Sequence, residues 1–334
     1  MPPGLGHKSY MQIGPKETTY GTYIAPTAKL EVFNFEATPE IGVIQDPSLY
    51  SQPSRRGLYQ GGQFWRVRFT VRGNFDGCLE LFRAVFGTYS NTLVDTPARD
   101  HFFKEGANLN SYSPEAIVGD VTTGKCFRVL GLKLTGVRVR GTAGLGNDAM
   151  LQFEFNGLAK DVQSNQTPTG ALTFPAVLPI LYHYSGNATG IVDDGTADTG
   201  VSLRVRSFEV SLEQPHTEDR SYLQSINIDE PMRSDFLVAR WRLTQEFTTY
   251  TQFDAAKAFT VGSPKLVFAH PTTIGSTSKR EFELRSNQAN LVEYSNPVEG
   301  YGVILSTATW EAFFDATDAS ALVARFRNTE SALP

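Results

Sequence analysis

The sequence has few of the residues and runs that mark metal proteins, secreted proteins and membrane proteins. Its 334 residues include only two cysteines, Cys78 and Cys126, and neither has a second cysteine or a histidine at a metal-binding spacing. We therefore expect two reduced thiols in the core of a protein folded in the cytosol, with a single disulfide as the alternative. The longest apolar stretch, 171–184, is broken by two prolines and is too short to span a bilayer. Residues 1–14 contain no apolar run, which predicts that there is no secretory signal.

The sequence also lacks an excess of positive charge. Thirty basic residues against thirty-five acidic ones leave a formal net charge of −5, which argues against a surface built to hold nucleic acid. With 40% hydrophobic residues, a chain of this length is expected to fold as about two domains without a metal or disulfide. Helix formers do not dominate, and 29 glycines, 18 prolines, 23 phenylalanines and 13 tyrosines favour strands and turns.

Motifs for catalysis, cofactors or metals are missing as well. Residues 141–146 superficially match a glycine-rich dinucleotide loop, but they connect two predicted strands and so favour a hairpin. The aspartates within 193–198 lack the spacing of a calcium-binding loop and indicate a solvated loop. None of the five histidines lies in a hydrolase or metalloprotease motif, and His101 is interpreted as a strand-end or loop residue. We therefore predict no catalytic, cofactor-binding or metal site and no enzymatic activity.

What the sequence does contain is strand-like alternation. In residues 64–72, Trp65, Val67 and Phe69 alternate with arginines and threonine, which predicts a half-buried strand. Residues 132–139 alternate in the same way, with a predicted bulge at Gly136.

Two short helices are also predicted. Asp76 is expected to cap a helix that carries Leu79, Phe82 and Phe86 and stops at Gly87. Asp318 is expected to cap a second helix, in which Leu322 and Phe326 lie four residues apart.

A repeat relates the two parts of the sequence. Residues 32–37 resemble 205–210, and the Trp-Arg-Val of 65–67 resembles the Trp-Arg-Leu of 241–243, at offsets of 173 and 176. We predict a duplicated domain, with an N-terminal arm and first β-barrel in 1–157, a Pro/Gly-rich connector in 158–200 and a second β-barrel in 201–334. The predicted core residues of the two repeats are Phe35, Trp65, Val67, Phe82, Phe208, Trp241 and Leu243.

The N-terminal region carries a family resemblance. Lys16-Glu-Thr-Thr-Tyr-Gly-Thr22, followed by Ala25-Pro-Thr27 and Leu30-Glu-Val32, resembles the opening of tail tube proteins of long-tailed (siphovirus-type) bacteriophages. The stretch 73–87, the prolines near 175–179 and the segments 313–316 and 325–328 are similar to later parts of that family. The resemblance implies an all-β fold with small flanking helices, in which the barrel or sandwich domains form rings that stack into a hollow tube.

The resemblance also implies partners and a location. The tube would surround the tape measure protein, end at tail terminator and tail-tip proteins, and pass double-stranded DNA during ejection without binding it specifically. Assembly would take place in the host cytoplasm, and the protein would reside in the virion. Because rings of this type are often sixfold with one barrel per subunit, two barrels per chain predict a trimeric ring with pseudo-sixfold symmetry. The net charge is compatible with an acidic channel wall that repels phosphate, although the sequence does not place the charges.

Two long polar loops, 45–62 and 218–235, are predicted to join stacked rings, because loops of this length in compact domains are usually functional or disordered. Aromatic residues and methionine are enriched at interface cores. The candidate ring-stacking contacts are Tyr50, Arg55, Arg56, Tyr59, Tyr222, Met232 and Arg233.

Two alternative functions remain open from the sequence. One is another virion structural β-protein, such as a tail terminator, head-tail connector or decoration protein, which would not polymerise axially. The other is a glycan-binding tail-tip protein, whose aromatic rings would stack on sugars. Trp65 and Trp241 lie on predicted apolar strand faces, which favours a role in the core over sugar binding.

Overall fold

The computed structural model describes residues 9–46, 57–119, 125–144, 149–170, 172–175, 178–184, 192–193, 201–202, 205–218, 220–247, 250–297 and 303–333. Within them the fold is nearly all β, which confirms the predicted class. The strands are β1 (Tyr10–Ile13), β2 (Ala28–Leu30), β3 (Val32–Gln45), β4 (Leu58–Arg72), β5 (Gly87–Asp95), β6 (Ala98–Glu105), β7 (Glu115–Ile117), β8 (Cys126–Leu130), β9 (Lys133–Thr142), β10 (Gln152–Ala159), β11 (Asp161–Gln166), β12 (Val192–Asp193), β13 (Val201–Ser202), β14 (Val205–Glu213), β15 (Val238–Glu246), β16 (Val261–Gly262), β17 (Lys265–Thr273), β18 (Lys279–Arg285), β19 (Ala289–Ser295), β20 (Leu305–Ala312) and β21 (Val323–Asn328). The helices are α1 (Leu79–Phe86) and α2 (Thr251–Ala258), with one 3₁₀ turn at Tyr182–Tyr184.

A nine-stranded antiparallel sheet forms the main layer, in the order β16-β19-β20-β15-β14-β9-β10-β4-β3. Its β9-β10-β4-β3 segment comes from the first half of the chain, and β19-β20-β15-β14 comes from the second half in the same order. The two segments are joined by β14 and β9, whose backbones pair from Ser207–Thr142 to Glu213–Gly136. One unbroken sheet therefore runs through both halves.

Corresponding bulges fix how the two segments align. The β9–β10 ladder shifts register between Leu134 and Gly136, which confirms the predicted bulge, and the β19–β20 ladder shifts between Leu291 and Glu293. Leu134 and Val67 both pair with Gly157 of β10, one from each side. Leu291 and Trp241 pair in the same way with Trp310 of β20. Relative to the bulges, Trp241 therefore occupies the position of Val67, two residues away from the position of Trp65.

A seven-stranded sheet, β13-β12-β17-β18-β21-β6-β5, forms the second layer. The predicted C-terminal helix is wrong, because its segment is β21, which pairs with β18 on one side and β6 on the other. Leu322 and Phe326 are buried with Ala324 between them, so the spacing of four belongs to a period of two. Asp318 accepts hydrogen bonds from Arg285 at 2.8 and 3.1 Å and does not cap a helix.

Helix α1 lies in a core shared by both halves. The ring of Phe82 contacts Phe153 and Phe155 of the first half, with centroids 5.1 and 6.0 Å away, and Phe282 and Phe326 of the second half at 5.8 and 4.8 Å. These rings belong to one continuous apolar cluster. The two halves thus share a core as well as a sheet.

The predicted end of α1 at Gly87 is confirmed, but its predicted N-cap is wrong, because the helix begins at Leu79. Cys78 occupies the N-cap position without a side-chain capping hydrogen bond, while Asp76 pairs with Arg280 at 3.0 Å. Gly87 ends the helix with φ at 88°, a conformation that glycine adopts without a steric penalty. Cys78 and Cys126 are both buried and free.

A five-stranded sheet, β11-β8-β7-β1-β2, packs the N-terminal segment onto the first half. The buried carboxylate of Glu17 accepts hydrogen bonds from the backbone N–H groups of Gly21 (2.8 Å) and Gly131 (2.9 Å) and from the hydroxyl of Ser113. A side chain at Gly131 would collide with the ring of Tyr20. The Glu, Tyr and Gly of the N-terminal motif therefore serve to hold this segment in place.

Several segments differ from the sequence expectations. Strands β3 and β4 extend to Gln45 and back to Leu58, so part of the first predicted loop is a β-hairpin. The predicted connector begins as strand, since β10 ends at Ala159 and β11 follows. His101 lies in the middle of β6, where its Nδ1 is 2.9 Å from the hydroxyl of Tyr89.

Candidate assembly interface

The nine-stranded sheet has one buried face and one charged face. The pairing register places the outward side chains in three cross-strand rows, which we call the charged face. The rows are Glu36, Arg68, Asn156, Gly136, Glu213 and Val238; Asn34, Thr70, Glu154, Arg138, Ser211, Arg240, Glu311 and Asn290; and Arg72, Gln152, Arg140, Glu209, Arg242, Thr309 and Glu293. The rows contain six arginines and six glutamates but no lysine, aspartate or aromatic residue.

Ion pairs connect these charges across the strands. Arg138 lies 3.4 Å from Glu209, which bridges β9 of the first half and β14 of the second half. Arg240 lies 3.5 Å from Glu311. Arg68 pairs closely with Glu154, whose second oxygen is 4.0 Å from Arg140. Exposed pairs of this kind contribute at most about 1 kcal/mol each, so their main effect is on the charge of the face.

The sheet ends in two open edges within the described part of the chain. Strand β3 has β4 on one side only, and β19 is covered by β16 only at Ala289 and Asn290. An exposed edge presents unpaired N–H and C=O groups that another strand can join. Pro39 on β3 lies opposite Trp65 on β4. Leu212 on β14 lies opposite Ala239 on β15, at the same place in the second ladder.

The pairing of β14 with β9, which we call the internal junction, shows which backbone groups such an edge uses. The N–H of Gln214 donates to the carbonyl of Thr135 at 2.7 Å, and the N–H of Ala143 donates to the carbonyl of Arg206 at 2.7 Å. Even-numbered residues of β14 therefore direct their backbone groups to β9. Ser211 and Arg138 consequently form a non-hydrogen-bonded pair, in which the Cα atoms approach most closely.

The β3–β4 hairpin carries apolar side chains into solvent beyond the sheet. We call residues 40–46 and 57–63 the arm. Five large apolar side chains of the arm are about half exposed or more: Ile41, Val43, Ile44, Leu58 and Tyr59. A contiguous apolar surface of this kind marks an interaction site more often than a free surface.

The loop between β14 and β15, residues 214–237, lies beside the arm. The N–H of Gln63 donates to the carbonyl of Ile226 at 2.8 Å, and Arg66 lies 2.6 Å from Glu218. Within this loop Leu223 is 97% exposed and Phe236 is 88% exposed. The arm and the part of the loop around Glu218 and Ile226 therefore form one surface built from both halves, which we call the protruding surface.

The predicted stacking residues fall in different settings. Tyr59 on the arm, and Tyr222 and Met232 on the loop, are each more than half exposed. Arg233 is turned inward, where it donates to the carbonyl of Gly106 at 2.7 Å and to the side chain of Gln214. Tyr50, Arg55 and Arg56 lie outside the described residues.

The predicted core residues lie on the apolar side of the sheets. Val67, Phe82, Phe208, Trp241 and Leu243 are buried, whereas Phe35 and Trp65 are partly buried against the core. The indole N–H of Trp241 donates to Ser286 at 2.9 Å, so this ring is fixed inside the protein. Neither Trp65 nor Trp241 therefore presents an open aromatic ring on which a sugar could stack.

Buried titratable groups gather at the N-terminal end of α1. Glu330 accepts a hydrogen bond from the N–H of Gly77 at 2.7 Å, and burial raises the pKa of its carboxyl to about 7. Burial also raises the pKa of the nearby Asp76, against the opposing effect of Arg280. Burial lowers the pKa of His101, which favours its neutral form. These groups fasten the C-terminal segment to α1 and do not converge on a reactive side chain.

The described residues offer little else for chemistry. They contain no group of three or more histidine, cysteine, aspartate or glutamate side chains placed to hold a metal ion. No helix among them has the length and apolar character needed to cross a membrane. Among the described residues, the features that stand out are the open edges, the arm and the charged face, which define an all-β protein with surfaces open to other chains.

The comparison with known families agrees with this class. A family model described as phage tail tube protein matches residues 6–324. The chain belongs to the phage tail tube protein family, and the resemblance seen at its N-terminus is confirmed. The family implies a structural component of the virion and self-assembly into a tube. No curated protein matches the sequence.

Sequence reasoning missed the charged face and the junction between the halves. The alternation of arginine and glutamate on single strands was visible, for example in Arg138 and Arg140. Which strands lie side by side depends on pairings between distant segments, so the rows emerge only from the register.

Proposed function

We propose that the chain is the major tail tube subunit of a siphovirus-type phage, and that three copies form a ring with pseudo-sixfold symmetry. In this proposal the chain is a duplicated unit with one repeat in each half. The observation that supports this proposal most strongly is the sheet order. Both halves have the same four-strand order and are joined edge to edge by β14 and β9. A unit that joins to its own repeat in this way can join to the next copy of the chain in the same way.

The internal junction serves as a template for the contact between copies. The β14 edge corresponds to β3, and the β9 edge corresponds to β19, which are the two open edges of the chain. The aligned bulges then place Thr38 of one copy opposite Ser295 of the next, as Ser211 lies opposite Arg138. Such a contact is heterologous, and repeated rotation by the same angle closes a ring.

Ring size follows from the number of strands. Each chain contributes eight full strands to the wall, so three copies would contribute about 24 strands. At about 4.8 Å per strand, the wall would have a circumference of roughly 115 Å and a backbone diameter of roughly 37 Å before strand tilt. Barrels of 16–18 strands already leave an aqueous channel, so this wall would enclose an open bore.

The layered structure supports an inward position for the charged face. The opposite face is covered by α1 and the seven-stranded sheet, which need the larger circumference on the outside of a ring. DNA would then pass along the charged face during ejection. The tape measure protein would occupy the same bore before ejection, and terminator and tip proteins would cap the ends of the tube.

The protruding surface has a role in the same arrangement. Gln214, which donates to the carbonyl of Val85 near the end of α1, corresponds to Ile41 on the arm. Gly87 and Phe259 are also equivalent, since each follows a helix with a positive φ. The arm of one copy would therefore reach the end of α2 in the next copy, and its exposed tip would contact the adjacent ring. Assembly of these rings would occur in the host cytoplasm.

A cysteine pair tests both the edge contact and the ring size. Thr38→Cys together with Ser295→Cys should form disulfides between neighbouring copies in assembled protein, because the pair is non-hydrogen-bonded. A non-reducing gel should show covalent species of one, two and three chains and nothing larger. A ladder that continues to six chains would contradict the trimer. Rings that are visible by electron microscopy but form no disulfide would contradict the edge contact.

The chain offers a matched control for this experiment. Ser211→Cys with Arg138→Cys sits at the equivalent internal junction and should form a disulfide within one chain, without any increase in mass. Each single cysteine variant should form no trimeric species. Protein that forms neither rings nor tubes at any concentration would overturn the proposed function itself.

A further inference from the structure

We infer that the glutamates of the charged face mask its arginines, so that duplex DNA meets this face without binding to it. The balance of the face carries the inference: six arginines and six glutamates lie in three rows, and the rows add up to no net charge. This differs from the acidic channel wall that the net charge had suggested. The relevance of the face to DNA rests on the proposed function, whereas the masking itself is a property of the single chain.

The composition of the face is not that of an ordinary solvated surface. The chain contains ten lysines, yet every cation in the three rows is arginine and every anion is glutamate. Arginine presents a planar fork that matches a carboxylate, whereas lysine is a flexible point charge that stays hydrated. An arginine engaged by a carboxylate has fewer free donors for phosphate.

The glutamates are placed where they reach the arginines. Glu209 lies 3.4 Å from Arg138 and directly opposite Arg242, and Glu36 lies directly opposite Arg68 at the equivalent position of the first half. Both halves therefore set a glutamate of the first strand against an arginine of the second strand. The same arrangement in both halves indicates that it is a property of the unit and not of one site.

The face also lacks the other means of holding nucleic acid. Its rows contain no aromatic side chain on which a base could stack. Without the glutamates, six exposed or partly exposed arginines would form a continuous basic surface, and such a surface binds duplex DNA with salt-dependent affinity. Removing negative charge from the face should therefore create binding, even though no positive charge is added.

The test uses the full-length chain below the concentration at which it assembles. The variant Glu154→Gln, Glu209→Gln, Glu311→Gln should bind a labelled 20-base-pair duplex at least about tenfold more tightly than the wild type in low salt, as measured by fluorescence anisotropy. The slope of log affinity against log salt should steepen by about 2–3, because about three arginines become free for phosphate.

A second variant controls for net charge. Asp229→Asn, Asp235→Asn, Asp254→Asn makes the same change in charge at exposed positions away from the charged face, and it should gain less than about twofold. Equal gains in both variants, or wild-type protein that already binds the duplex as tightly, would overturn the inference. Because Glu154 is largely buried, Glu209→Gln with Glu311→Gln provides a milder variant if the triple variant fails to fold. The result does not depend on ring formation, so it is separate from the cross-linking test.

Discussion

The two halves of the chain share a strand order but differ in what covers them. In the first half, α1 is buried beneath the second layer and the β9 edge is joined by β14. In the second half, Phe253 on α2 and Phe259 just after it are exposed, and most of the β19 edge is open. Helix and edge are therefore covered within the chain in the first half, whereas the helix and the edge of the second half are left exposed.

This difference gives a physical reading of the exposed apolar residues. Exposed aromatic side chains on α2 and the arm would be costly as free surface, but they occupy the places where the first half makes internal contacts. We therefore interpret them as surface that a second copy of the chain covers. Substitutions at equivalent positions of the two halves test this interpretation.

The largest effect is expected at the two tryptophans. Trp241→Ala should lower the free energy of unfolding by about 3–5 kcal/mol, since this ring is fully buried and hydrogen-bonded. Trp65→Ala should cost less than about 2 kcal/mol, because Trp65 is only partly buried. Urea denaturation of the unassembled chain measures both values. Equal costs would show that Trp65 is packed as fully as Trp241 and would contradict the difference in burial between the two rings.

The next effect concerns the N-terminal end of α1, which the C-terminal segment fastens. An unfolded glutamate loses its proton near pH 4.5, whereas folded Glu330 loses it near pH 7. The folded state therefore holds an extra proton between these values, and stability should fall by roughly 3 kcal/mol as pH rises from 4.5 to 7. Glu330→Gln should flatten this profile and be more stable than the wild type at pH 8.

Glu311→Gln, on the exposed face, serves as the control for this profile and should leave it unchanged. The measurement is the midpoint of urea unfolding at several pH values. Wild-type stability that stays constant between pH 5 and 7 would show that Glu330 is solvated in the folded chain and that α1 is not fastened in this way.

The sequence predicted local features of this fold better than distant ones. The alternation around Val67, the bulge at Gly136 and the end of α1 at Gly87 were all readable, because each depends on neighbouring residues. The segment of Leu322 and Phe326 was misread as a helix, since a spacing of four fits both a helix and a strand. Its position between β18 and β6 is decided by tertiary pairing, which no local pattern records.

The candidate interface was predictable only in part. Tyr59 and Tyr222 were chosen because long loops with aromatics suit interfaces, and both are exposed, while their role in stacking stays a prediction. Arg233 could not be distinguished from them by sequence, because its partners, Gly106 and Gln214, are set by the junction of the halves. The open edges needed the sheet order itself.

A smaller effect is expected at the end of α2. Phe259 has φ at 52° and is 60% exposed, whereas the equivalent Gly87 tolerates a positive φ. Phe259→Asn should leave the unassembled chain equally stable or up to about 1 kcal/mol more stable, because asparagine adopts this conformation more readily. The same variant should raise the protein concentration needed for assembly. Sedimentation that shows unchanged assembly would contradict a contact between the arm and α2.

The smallest expected effect is at the β3 edge. Pro39 corresponds to Leu212, which is one of the even-numbered residues of β14 that direct their backbone groups across the junction to β9. Proline has no N–H, so the contact between copies would lack one hydrogen bond that the internal junction contains. Pro39→Thr should restore this donor and lower the concentration needed for assembly about fivefold, which corresponds to about 1 kcal/mol per contact. The stability of the unassembled chain should change by less than about 0.5 kcal/mol, because the donor faces an open edge. An unchanged assembly threshold would mean that β3 is not the edge that meets the next copy.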